Sequence, residues 1–200
     1  MRHLALSRAI CGRLQRFRSA SSGATAVEFA LVSIPFFGML AAIIQWGFII
    51  WAQMNLDTVV ENATRSLFTG SFQTANPGVI DPATALAKLK SSLCGSGATA
   101  TPTLFSCGSI KINVAPSTNF SSGSYANAYN SSTKTIDPNF EGYTCAKPRQ
   151  IVVVTAAVTV PVFFGKLLPG LTGMADGSYL LRSTNVFRTE PYSTSSNGAC

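Results

Sequence analysis

FALVSIPFFGMLAAIIQWGFIIWAQMNLDTVVENATRSLF, Phe29 to Phe68, decides the fold. Up to Ala52 it carries no charge, and only Ser33 and Gln45 interrupt it as polar residues. About 24 residues at roughly 1.5 Å each are enough to cross the ~30 Å hydrocarbon core of a bilayer with some tilt. Beyond Gln53 the pattern changes. Leu56, Val59, Val60, Ala63 and Leu67 recur at helical spacing, Asp57, Glu61, Asn62 and Arg65 take the other faces, and Gly70 offers a stop. Together the two patterns predict one helix from Ala26 to Thr69, about 65 Å long, whose outer stripe has to pack on protein.

Charge supplies an orientation. The chain of 200 residues has a formal net charge of +7, but Arg2, Arg8, Arg13, Arg16 and Arg18 all precede Gly23, in a leader with no acid. The basic balance is therefore local, and the nucleic-acid reading, which needs a basic face on a folded domain, loses its support. With arginines before the apolar run and Asp57, Glu61 and Arg65 after it, the positive-inside rule puts the N-terminus in the cytoplasm and everything after about Gln53 outside it. Trp46 and Trp51 fall near the outer boundary, where indole rings favour the headgroup level.

Cysteine usage agrees with that orientation. Cys11 is alone in the leader, whereas Cys94, Cys107, Cys145 and Cys200 lie on the translocated side, an even set in a compartment that permits disulfides. Of the three possible pairings, chain proximity favours Cys94 with Cys107, which leaves Cys145 with Cys200 to tie down the C-terminus.

The remainder predicts a small domain. Asp81-Pro82 is a helix start, with Leu86, Leu89 and Leu93 at helical spacing before Gly95, giving a helix over 82–93. SIKINV, 109–114, alternates and reads as a strand buried on one face. IVVVTAAVTV, 151–160, is apolar on both sides and reads as a central strand stopped by Pro161, and 178–190 as a third strand pairing with it. Residues 116–147, rich in Ser, Asn, Gly, Thr and Tyr, predict a long surface loop pinned by Cys145. FFGKLLPGLTGM, 163–174, is a Gly/Pro-broken apolar connection, either a short helix or an exposed contact surface. The expected fold class is α+β: a leader over 1–23, a long transmembrane-plus-amphipathic helix over 24–70 with the span at about 29–52, and an extracytoplasmic domain over 71–200 with a small antiparallel sheet.

Chemistry is sparse. The single histidine, His3, lies in the leader, so no Ser/His/Asp arrangement or histidine metal cluster can be built in the domain. Asp137 and Glu141 fit no calcium-loop spacing, and CGSGAT lacks the Lys-Ser/Thr of a phosphate loop. The expectation is a protein that is not an enzyme and has no cofactor and no metal.

Glu28 is the feature that a plain anchor leaves unexplained, since a carboxylate at the centre of a membrane helix costs roughly 2.5–3.5 kcal/mol even on the gentlest scale. A basic leader ending in Gly23, followed by Ala24-Thr25-Ala26-Val27-Glu28-Phe29, resembles the prepilin-peptidase site of the type IV filament superfamily. The continuation AVEFALVSIPFFGMLAAIIQWG, the helix ending ATRSLFTG and the C-terminal RTEP are similar to the TadE-like family of the Tad (Flp, tight-adherence) pilus system.

The resemblance implies a pilin-like minor pilin or pseudopilin in the bacterial inner membrane. It would be cleaved between Gly23 and Ala24 by a prepilin peptidase and would partner the major pilin, other minor pilins and the inner-membrane assembly platform, with a periplasmic domain or a place in the extracellular pilus. Gly23 puts no side chain in the way of a peptidase. Cleavage would create an amine at Ala24, and Glu28, beside Phe29, could pair with it in its own chain or in a neighbour, offsetting the desolvation of both groups and setting register. The alternative is a membrane-anchored extracytoplasmic binding or adhesin domain that keeps its leader.

Overall fold

The computed structural model describes residues 23–79, 81–95, 103–120, 126–165 and 169–192. Its longest element, α1, is a helix of 45 residues, Ala24–Phe68, unbroken through Pro35. The chain divides into two units, one ending at Ile44 and the other beginning at Gln45. In the first, apolar side chains on every face of the helix are exposed, among them Phe29, Val32, Ile34, Phe36, Phe37 and Ile43. A helix with no polar face has no solvent side to present and demands an apolar environment all round.

In the second unit the same helix becomes one-sided. Ile49, Ala52, Leu56, Val59, Val60, Ala63 and Leu67 are buried, while Asp57, Glu61 and Arg65 stay outside, the last two joined by an i,i+4 ion pair of 2.8 Å. Gly70 follows at φ 73°, a left-handed stop that a β-carbon would strain. A short helix α2, Ser71–Ala75, and then α3, Pro82–Leu93, complete the helical part. Asp81 caps α3 by accepting from Thr84 N at 2.9 Å, with Pro82 in the first turn, where its missing N–H costs nothing.

The stripe of α1 packs on a four-stranded sheet. Its strands are β1 (Lys111–Ser117), β4 (Gly142–Tyr143), β5 (Ile151–Val160) and β6 (Tyr179–Arg188), in the order β4-β1-β5-β6. A hairpin of β2 (Tyr129–Asn130) and β3 (Thr135–Ile136) forms a second, two-stranded sheet. The β1–β5 and β5–β6 pairs are antiparallel, with Val114 opposite Val154 and Val154 opposite Asn185. Ile112 and Val114 of β1, with Val152, Val154, Ala156 and Val158 of β5, join the α1 stripe and Leu89 and Leu93 of α3 in one core. This is the expected α+β arrangement, a long apolar helix and a small, mostly antiparallel sheet.

Three expectations need correction. The first strand runs from Lys111 to Ser117 and not over 109–114, because Ser109 closes a 3-10 turn, Cys107–Ser109, held beside the disulfide. Residues 116–147 are more than a surface loop. Tyr143 lies in β4, which pairs parallel with β1, so the sheet is not purely antiparallel. Phe140 and Ala128 are buried against Ala157, with Ile136 and Leu180 around them. That cluster covers the far face of β5, which explains why the central strand is apolar on both sides. Asx turns at Asn130 and Asp137, whose side chains accept from Ser132 N and Asn139 N, shape the polar stretch where no aliphatic periodicity could announce it.

Candidate processing and assembly site

Gly23 immediately precedes the first residue of α1, Ala24. A β-carbon built on Gly23 would meet nothing within 4 Å. No packing among the described residues requires a glycine there. Glu28 sits one turn into α1 and is exposed, as is Phe29 at 72 %. Among the described residues Glu28 has no ion-pair partner. Gly23, Ala24, Glu28 and Phe29 thus lie within about a turn and a half at the start of an exposed apolar helix. The arginine-rich stretch expected to be removed lies outside the described residues.

The cysteines act in the domain. Cys94, just after α3, is bonded to Cys107, with a Cα–Cα separation of 6.3 Å. Cys145 is also disulfide-bonded; its expected partner, Cys200, lies outside the described residues.

Ionisable groups in the domain hold elements together. Glu141, half-buried ahead of β4, bridges Lys90 of α3 at 2.5 Å and Lys111 of β1 at 2.8 Å. Burial pushes its carboxyl up, but hydrogen bonds from the two lysines outweigh burial and hold it below the usual carboxylate range. Asp176 accepts from Ser178 N and Oγ, which also lowers its pKa. Among the described residues no group of three or more His, Cys, Asp or Glu is placed to hold a metal ion.

Two features escaped the sequence reading. Gln45, taken as a mere interruption of the apolar run, is fully buried, and its Oε1 accepts from Phe163 N at 2.9 Å. Gly70 is covered by the ring of Tyr192, which a β-carbon would overlap. Around it Glu190 N donates to Phe68 O at 3.0 Å, Tyr192 Oη donates to Ala146 O at 2.9 Å, and Phe68 and Phe187 meet edge to face. The ATRSLFTG and RTEP motifs, distant in sequence, thus form one latch. A lone amide side chain in an apolar helix and an invitingly bare Gly70 were the available signals, but neither names its partner.

These features define a class: an α+β domain on an N-terminal helix long and apolar enough to cross a membrane. Within it, residues 23–65 match the family model described as TadE-like protein, the family that the motif around Glu28 resembles. The matched segment opens on Gly23 and closes in the last turn of α1. No curated protein and no solved structure matches the chain.

Proposed function

We propose that this chain is a minor pilin or pseudopilin required to assemble a Tad/Flp pilus for surface adhesion. The observation that carries the reading is the TadE-like match, which begins at the glycine of the expected cleavage site and includes Glu28. In this reading α1 anchors the protein in the bacterial inner membrane with its N-terminus cytoplasmic and its domain periplasmic. A prepilin peptidase cuts after Gly23, and the mature chain starts with the amine of Ala24. In support of the cut, a β-carbon at Gly23 meets nothing within 4 Å, so the backbone there is open to an approaching peptidase.

Glu28 gains its function at assembly. Exposed on α1 with no cation beside it among the described residues, it is available to the Ala24 amine of an adjacent subunit. In a low-dielectric setting such pairing penalises every register but one. The partners are the major pilin, other minor pilins and the membrane assembly platform. The protein acts through contacts and not through catalysis.

Intact-mass measurement on the chain purified from membranes tests the cut. Residues 1–23 are expected to be absent in wild type and retained in Gly23→Ala; an intact leader in piliated cells instead establishes an anchored domain of another kind. Glu28→Ala is expected to insert normally and to reduce piliation at least about tenfold, the effect of losing roughly 1.4 kcal/mol or more at each contact. Normal piliation would remove the register role.

A further inference from the structure

Gln45 fixes a turn of the domain to a defined level of α1. The turn after β5, Pro161 to Gly165, is tied there by the Phe163 N to Gln45 Oε1 hydrogen bond and by the edge-to-face contact of Phe48 and Phe163 at 5.2 Å. Despite both ties Phe163 is 65 % exposed. Trp46, Ile50 and Trp51 are exposed at the same level of the helix.

The burial of Gln45, Ile49 and Ala52 against their own domain limits how far lipid can surround α1. If the helix is the anchor proposed above, the part left for hydrocarbon is Thr25 to Ile44 and not the span of about 29–52 read from apolarity, because Gln45, Ile49 and Ala52 are buried; about 20 residues or ~30 Å match the thickness of the apolar core. Hydrocarbon then ends near Ile44, and residues 45–51 lie among the headgroups, where exposed indoles are favoured. A turn tied to Gln45 shares that depth.

We infer that the Pro161–Gly165 turn is a membrane-docking surface, with Phe163 seated at the headgroup–acyl boundary of the same bilayer that α1 crosses. The inference rests on the membrane reading of α1. Lipid is the occupant because the turn is fixed where the span stops, on a helix that cannot leave the bilayer. The one charged side chain among the described residues lining the hollow beside Phe163 is Asp176, already held by Ser178. Burial of the aromatic ring drives the contact, and zwitterionic lipid suffices.

The test uses the full chain in phosphatidylcholine vesicles carrying bromine at shallow or deep acyl positions. Two single-indole variants are compared, Trp51→Phe, which leaves Trp46 as the reporter of the anchor, and Trp46→Phe/Trp51→Phe/Phe163→Trp. Shallow bromine is expected to quench the indole at position 163 about as strongly as Trp46, more than deep bromine does, with little quenching by aqueous iodide. If Trp46 is quenched by bromine while position 163 answers only to iodide, the turn stands in water and the inference falls, though the membrane reading survives. If position 163 escapes both quenchers, a second copy covers it, which also overturns lipid docking. If Trp46 itself escapes bromine, the membrane reading fails and the inference goes with it. Phe164→Trp in the same background repeats the measurement with the Phe48–Phe163 contact left in place.

Discussion

The two parts of α1 follow the same backbone rules and reach opposite solutions. From Thr25 to Ile44 the helix is apolar on all faces and none of those large side chains is buried, whereas from Gln45 to Phe68 one stripe is buried and the remaining faces carry most of the helix's charge. The difference lies in what the chain supplies. For the second part it provides a sheet and α3 as a cover; for the first part no described residue provides one. Hydrophobicity alone therefore does not say where a helix belongs; the periodicity does, because a stripe names a protein partner and an unbroken surface names a solvent.

The sharpest way to break this comparison is to shorten one side chain in each part. Leu56→Ala, at a fully buried site, is expected to lower the stability of the domain by about 2–5 kcal/mol. Ile34→Ala, at an exposed site, should leave it within about 0.5 kcal/mol. Urea denaturation of the full chain in mild detergent, followed by near-ultraviolet circular dichroism, measures both. Equal effects would mean that the two parts share one core.

The disulfide gives the next largest expected effect. Removing the Cys94–Cys107 bond in a Cys94→Ser/Cys107→Ser variant frees a loop of sequence separation 13 and should cost about 3 kcal/mol. The same denaturation experiment checks it, and the loss should fall on the domain alone, with helicity of the apolar part retained. Loss of helicity throughout would show that the apolar part depends on the domain.

The smallest effect is electrostatic. The carboxyl of Glu141 titrates lower in the folded state than in the unfolded chain, so its contribution is present above the unfolded value and is lost as pH falls through the folded one. The wild type should therefore lose more stability than Glu141→Gln between about pH 5 and 3. Because the pair is partly open to water, the difference should be a fraction of a kcal/mol. Identical pH profiles would show that Lys90 and Lys111 hold the sheet edge without it.

Much of this arrangement was legible in the residues. Periodicity specified the α1 stripe from Leu56 to Leu67, the Asp81-Pro82 start specified α3, and double-sided apolarity marked β5 as central. The part that escaped was written in other terms. Phe140 and Ala128 cover the far face of β5 from within a polar stretch, where isolated anchors and Asx turns replace any repeating pattern. Gln45 reads as polar and proves buried because its partner, a backbone amide at Phe163, leaves no mark in composition. At the candidate site, Gly23 and Glu28 stood out through a motif and an energetic anomaly, which is why residues with no contacts to show in the fold could still be singled out.

The latch at Gly70 bears on the order of events during synthesis. The stripe of α1 emerges early, but β6 and the Glu190–Tyr192 segment that close over its end emerge only after almost every other described residue. Pairing of such distant segments is slow relative to helix formation. For that interval the nascent chain holds a finished helix with an uncovered apolar stripe. That stripe is covered for good only when the last strand arrives and the Tyr192 ring shuts over Gly70.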